Sequence, residues 1–153
     1  MGVLVPVLIG CSGFLLAVLW MDLMFDVQVL AHRGRDTLPE PVLAAICGYY
    51  HRVTTTARPM SHLIALVMLI MLSALGFRAT LGDDPAWWLA VAGVIAAGPV
   101  LLALGRTVPN AVRLGRRTGT AEEQTRLARS VLVDHLVCLG CLSAFLVGWL
   151  FVA

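Results

Sequence analysis

Residues 59–77 read PMSHLIALVMLIMLSALGF, and His62 is the one ionisable side chain between Pro59 and Phe77. A helix needs about 20 predominantly apolar residues to cross a bilayer, within a range of roughly 17–25. Lipid offers the backbone no hydrogen-bond partner, so a crossing chain pairs its own amides and carbonyls as a helix. Outward from this run, three further stretches share its character: about Val3 to Leu30, Ala86 to Leu104 and Val131 to Val152. The sequence therefore predicts an all-α fold: a polytopic membrane four-helix bundle, up-down-up-down. Residues 1–153 are expected to form a single transmembrane domain.

Composition points the same way. Apolar residues make up 59% of the chain and charged ones 13%. The charged share is about half the roughly 25% usual in soluble domains. A soluble fold of this length covers its surface with polar side chains; here lipid has to do the covering. The opening Met1-Gly-Val-Leu-Val-Pro6 is apolar at once and has no basic segment. It is expected to begin a first span and not a cleaved signal peptide. A net charge of +2 gives no reason to expect a nucleic-acid partner; the expected partner is the lipid bilayer.

Three helices are expected to continue beyond the bilayer on the cytoplasmic side. Pro41 to Ala57 reads as a helix with proline in its first turn, joined to the second span through a kink at Pro59. Arg106 to Arg117 extends the third helix, with another kink at Pro109 and a stop at Gly119. Thr120-Ala-Glu-Glu123 has the spacing of a capping box that opens the fourth helix.

Arginines, which supply every basic residue, set the expected orientation. Arg33, Arg35, Arg52 and Arg58 surround the first connection. Arg106, Arg113, Arg116, Arg117, Arg126 and Arg129 surround the third, while the middle one carries only Arg78 beside Asp83 and Asp84. The positive-inside rule places the two Arg-rich ends in the cytoplasm. Both termini then lie on the non-cytoplasmic side of what is expected to be a bacterial inner (plasma) membrane. Trp87, Trp88 and Trp149 fall near that outer interface, where indoles are favoured.

Ionisable groups within spans are costly and call for a reason. Asp22 and Asp26 lie one turn apart on one face of the first helix. His51, Thr55, Arg58 and His62 recur at helical spacing, as do Arg106, Asn110 and Arg113, and the fourth helix carries Asp134 and His135. At about 1.5 Å per residue, Asp22, His62, Arg106 and His135 fall roughly 22–30 Å below the outer interface. Asp26, Arg58, Asn110 and Arg113 lie somewhat lower. Converging faces would enclose a polar pocket open toward the cytoplasm, beneath a dry apolar half. The two aspartates repel each other, and Arg58, Arg106 or Arg113 are expected to supply the counter-charge.

Histidines with carboxylates can ligate a metal, and ferritin-like bundles do so with Glu-x-x-His pairs. No carboxylate stands three residues from a histidine here. Asp134 and His135 are adjacent, about 100° apart on a helix, and the arginines disfavour a nearby cation. No metal or other cofactor is expected; a metal or haem held by His51, His62 and His135 is the alternative. Cys11, Cys47, Cys138 and Cys141 lie in apolar runs and read as small hydrophobes. Cys138-x-x-Cys141 has a redox spacing but lacks the βαβ context of a thioredoxin-type motif.

Several short stretches together resemble a known family. They are Pro99 with Val108-Pro-Asn-Ala-Val-Arg-Leu114, the charged linker Ala121-Glu-Glu-Gln-Thr-Arg-Leu127, and His135 on the fourth helix. Tyr49-Tyr50-His51-Arg52 and Arg58-Pro-Met60 add to them. The chain is similar in these to the anthrone-oxygenase-like family of small four-helix integral membrane proteins. It departs from the family where a tryptophan before the histidine and an arginine after it are common. Here Ser130-Val-Leu-Val-Asp-His135 is followed by Leu-Val-Cys-Leu139.

The resemblance implies a cofactor-independent oxygenase that converts an anthrone, a lipophilic aromatic ketone, to a quinone with molecular oxygen. His135 or His62 would be the base. Asn110 or Arg113 would hold the enolate oxygen, and Asp134 or Asp26 would orient the histidine. Asp22 completes the candidate catalytic set, and Arg58 and Arg106 the substrate-binding set. Two other readings stand beside this one. The first is a non-enzymatic membrane module that binds lipid or a small ligand, or is a subunit of a membrane complex. The second is a metal or haem redox membrane protein. Gly93 and Ala97 form a small-xxx-small pair that would suit a homo-oligomer.

Overall fold

A computed structural model describes residues 2–152. Every regular element among them is helical. The order is α1 (Leu4–Asp26), continued by a 3-10 segment (Val27–His32), then α2 (Glu40–Thr54) and α3 (Arg58–Leu81). Next comes α4 (Ala86–Leu102), which passes through a π-helical turn (Ala103–Thr107) into α5 (Val108–Arg116), and last α6 (Ala121–Val152). Four stretches are long and apolar enough to cross a bilayer: Leu4–His32, Arg58–Leu81, Ala86–Arg116 and Ala121–Phe151. Between 17% and 39% of each apolar window is buried inside the bundle. The rest faces outward, with Val94, Leu101 and Phe151 among the most exposed side chains. So large an exposed apolar surface is foreign to a soluble monomer and is that of a membrane protein.

The long helices close a four-sided bundle. α1 packs on α6 and α3, and α4 completes the ring by packing on α6 and α3. The inward seam of α1 is Val5, Leu8, Ser12, Leu15, Leu19, Leu23 and Asp26, at the three- and four-residue spacing that keeps one helical face turned to its neighbours. α1 and α6 run antiparallel. Asp26 meets His135, and beyond α1 the chain runs back along α6 until the Leu38 amide donates to Thr125 Oγ1 at 3.0 Å.

α2 and α5 add a second, shorter layer and pack on each other. They approach most closely at Gly115, where a Cβ would stand 2.8 Å from the His51 backbone nitrogen and 2.9 Å from the Tyr50 carbonyl. Only glycine permits that approach.

The helix ends show how the prolines act. Where a kink was expected at Pro59, the structure has a full break at residues 55–57 between α2 and α3. Pro59 then sits in the first turn of α3, where its missing amide leaves no bond unmade. Where a kink was expected at Pro109, the structure has a π-helical turn just upstream. In a regular helix the ring would clash with the Gly105 carbonyl; the backbone widens into the π turn, leaving Pro109 in the first turn of α5. Gly119 is not the stop. α5 ends at Arg116, Arg117 takes a left-handed φ of 50°, and Gly119 at φ 103° turns the chain toward α6. The capping box forms as expected: the Thr120 amide donates to Glu123 Oε2 at 3.2 Å, and the Glu123 amide to Thr120 Oγ1 at 3.3 Å.

Trp149 lies at the same end of the bundle as Trp88, as expected, and is fully buried there. It packs edge-on against Trp88, with ring centroids 5.6 Å apart, and under the Arg78 guanidinium at 5.6 Å. Arg78 in turn pairs with Asp84 at 2.5 Å. This cation–π stack fastens the α3–α4 turn to the end of α6, at the end of the bundle opposite the polar layer.

Candidate functional site

The last turn of α1 carries Asp22 and Asp26, four residues apart and so on one face. Asp26 is fully buried. Its Oδ2 lies 2.6 Å from Nδ1 of His135 on α6. The Tyr50 hydroxyl on α2 donates to the same carboxylate, 2.8 Å from Oδ1 and 3.0 Å from Oδ2. Three helices therefore meet at one carboxylate. Asp22 takes its own donor from the adjacent residue, Tyr49, whose hydroxyl lies 2.5 Å from Oδ1. Tyr49 is set by a stack on Phe25, with centroids 4.1 Å apart and planes 12° apart.

The pair Tyr49-Tyr50 thus satisfies the pair Asp22-Asp26. Among the described residues no arginine pairs with either aspartate, contrary to the expected counter-charges from Arg58, Arg106 or Arg113. Burial first, then the carboxylates beside them, push both phenols well above their ordinary value. Both stay protonated and donate.

Because Nδ1–H donates to Asp26, the neutral imidazole carries its lone pair on Nε2. Nε2 has no hydrogen-bond partner among the described residues. This is the arrangement of a histidine base with a carboxylate behind it.

Asp134, one residue before His135, belongs to a different network. It is fully buried, and Arg106 grips it with two donors, Nε at 3.0 Å and Nη2. The Thr107 hydroxyl donates at 3.1 Å. Arg106 and Thr107 both lie in the π turn, whose extra residue per turn re-aims the side chains that follow. Asp134 therefore locks the α4–α5 connection to α6. Of the two aspartates expected to orient the histidine, Asp26 does so.

His135 stands at the wall of a cavity of about 250 Å³ between the helices. Most of the lining is apolar: Leu15, Leu19, Ile64, Met68, Pro99 and Leu142 among others. The polar groups gather toward one end, with Asp22, Tyr50, Thr54, Ser61, Thr107 and His135. Cys138, one turn after His135, also lines it. α2 and α5 lie across that end and contribute Tyr50, Val53 and Ala111 to the wall.

The other sequence candidates lie elsewhere. His62, Arg58 and Arg113 are exposed and none lines the cavity. Asn110 donates to Ser130 Oγ at 3.3 Å. His51 is exposed, with Nδ1 3.2 Å from the Gly115 carbonyl oxygen. Among the described residues no three His, Cys, Asp or Glu side chains come together as a ligand set, so His51, His62 and His135 do not share a site. Sequence reading missed Tyr49 and Tyr50 as partners of the aspartates. Their available signal was pairing: two adjacent hydroxyl donors beside two carboxylates in need of donors.

No family model, curated protein or solved structure matches this chain.

Proposed function

We propose that the chain is a membrane-embedded, general-base enzyme of the oxygenase type, acting on a compact lipophilic aromatic ketone in the cavity. One observation carries the reading: Nδ1 of His135 is held 2.6 Å from a buried carboxylate at the polar end of an otherwise apolar cavity. Nε2 takes a proton from the carbon beside the substrate carbonyl, leaving an enolate. The Asp26 carboxylate steadies the imidazolium so formed, as the acidic member of a triad does. The electron-rich enolate reduces molecular oxygen and forms a carbon–oxygen bond. The peroxide anion takes the proton back from the imidazolium, and the resulting hydroperoxide loses water and becomes the second carbonyl, so that anthrone and O2 give quinone and H2O. Exclusion of water protects the carbanion. None of the expected arginines lines the cavity, so the imidazolium itself is the cation that faces the enolate oxygen. On this reading neither metal nor flavin takes part, and lipid, oxygen and the aromatic ketone are the partners. The Arg-rich ends, including α2 and α5, face the cytoplasm of a bacterial inner membrane, with both termini outside.

The test is oxygen uptake by purified protein supplied with anthrone, alongside quinone formation. Uptake matching quinone one for one, abolished by His135→Gln, supports the reading. A rate no greater than autoxidation without protein overturns it.

A second reading, a non-enzymatic ligand-binding module, draws on a separate observation. Asp22 and Asp26 are already satisfied by Tyr49 and Tyr50, as in a structural network. Under it anthrone binds without turnover, and His135→Gln leaves binding unchanged.

A further inference from the structure

We infer that the cavity is filled sideways from the lipid phase, through an opening between α3 and the α4–α5 connection. The inference rests on reading the cavity as a ligand site. It assigns the ligand class by phase: a molecule dissolved in the bilayer, apolar over most of its surface, with a hydrogen-bonding group at one end.

The lining residues divide sharply by exposure. Those with exposed side chains are Ser61 and Ala65 on α3, and Leu104 and Val108 on the π turn and α5. The linings from α1, α2 and α6 are buried or half-buried without exception. Each exposed pair is spaced by four residues, so each forms a ridge along one helix face. The two ridges flank the mouth.

The mouth is apolar over the part bordered by Ala65 and Leu104, and its other end carries Ser61 beside the exposed His62. Ala65 and Leu104 both lie within stretches long and apolar enough to cross a bilayer. Their outward neighbours Leu66, Leu69, Leu101 and Leu104 itself are exposed. Arg106, the charged side chain of the π turn, folds back onto Asp134. A mouth so bordered meets acyl chains. Toward the α2–α5 end the wall is made by Tyr50 and Ala111, both buried, and by Val53 and Thr54, both half-buried.

Cys138 lies in the cavity wall behind this mouth and serves as a native reporter. The protein carries Cys11→Ala, Cys47→Ala and Cys141→Ala and is reconstituted in phosphatidylcholine vesicles. It is treated with phenylmercuric acetate, which dissolves in lipid, or with the charged p-chloromercuribenzenesulfonate, which stays in water. Each reagent forms one S–Hg bond to Cys138; the thiol proton leaves with acetate or chloride.

The lipid-soluble reagent is expected to modify Cys138 and the charged one not. Ala65→Trp with Leu104→Trp should slow the first by about tenfold or more. Ile70→Trp, exposed on the same helix but turned away from the lining, should leave it unchanged. Modification by the charged reagent at a comparable rate overturns the lateral opening. So does failure of the lipid-soluble reagent, or indifference to the tryptophan pair. The reagent comparison needs no portal substitution, so it stands even if the paired variant does not fold. Labelling needs no turnover. A protein that labels as expected but consumes no oxygen refutes the enzyme reading alone, and the converse pattern refutes the portal alone.

Discussion

Asp26 and His135 are separated by 109 residues of chain, yet Oδ2 of one lies 2.6 Å from Nδ1 of the other. The contact does two kinds of work. It fixes the imidazole tautomer with its lone pair on Nε2, and it pins the foot of α1 to the middle of α6.

His135→Gln keeps a polar side chain of similar length and removes the base. General-base catalysis contributes about 10²–10⁴-fold. Anthrone-dependent oxygen uptake should fall by that order, while helicity by circular dichroism stays that of the parent. Loss of helicity together with activity would instead make His135 a structural residue.

Asp26→Asn is nearly isosteric, and the two outcomes it separates are chemical. An amide turned to donate to Nδ1 moves the imidazole proton to Nε2, and the base is blocked by tautomer, as in the serine-protease triad. Turnover should fall while the melting temperature moves little. A variant that turns over normally would show that Asp26 does not hold the tautomer.

Arg106 and Asp134 should respond asymmetrically. Asp134 is fully buried, whereas the Arg106 side chain is 52% exposed. Arg106→Met strands a carboxylate with no route outward, while Asp134→Asn leaves an arginine free to snorkel. Thermal unfolding in detergent should show the arginine variant as the less stable. The double variant Arg106→Met with Asp134→Leu should recover most of the loss. Equal effects of the two single changes would mean that the pair contributes only local contact.

Gly115→Ala would drive a Cβ into the backbone of Tyr50 and His51. Overpacking of this kind costs about 1–3 kcal/mol. The melting temperature should drop by about 5 °C, at roughly 2–4 °C per kcal/mol for a chain of this size. Because Tyr50 moves with α2, turnover should fall as well. An unchanged melting temperature would show that α2 yields without strain.

The two tyrosines are the only phenols in the chain, so tyrosinate absorbance near 295 nm reports on them alone. Burial and the neighbouring carboxylates raise both. A free phenol ionises near pH 10. Because the folded values are raised, the stability they contribute is fully present below about pH 10. It is lost as pH climbs from there through the folded values. Tyrosinate should therefore appear only as the protein unfolds in alkali. A titration near pH 10 in protein that keeps its fold would contradict the buried pairing.

Hydropathy made the four long helices legible, because a run such as Pro59 to Phe77 leaves lipid as its natural surrounding. The Thr120–Glu123 capping box was legible too, being a contact within one turn of chain. The proline effects were legible in kind but not in place: a ring forbids a bond at a known position, while the backbone chooses where to relieve it. The site was half legible. Asp22, Asp26, Asp134 and His135 announced themselves by the cost of placing them in a span. Which carboxylate meets which partner depends on helix rotation and on where α2 crosses α1, and neither is written in local spacing. Charge alone pointed to arginine as the aspartates' partner; geometry chose tyrosine. His62 shares the same layer by residue count but is exposed on α3.

α2 holds Tyr49 and Tyr50 and yet has no span of its own. It is kept in place by its buried side chains Leu43, Ile46 and Cys47, by a glycine-wide contact with α5, and by an outer ion pair between Glu40 and Arg117, 70% and 45% exposed. An ion pair so open to water holds weakly and yields to salt. The carboxylates are thus rooted in the bundle, while their proton donors hang from a piece that aqueous events can reach.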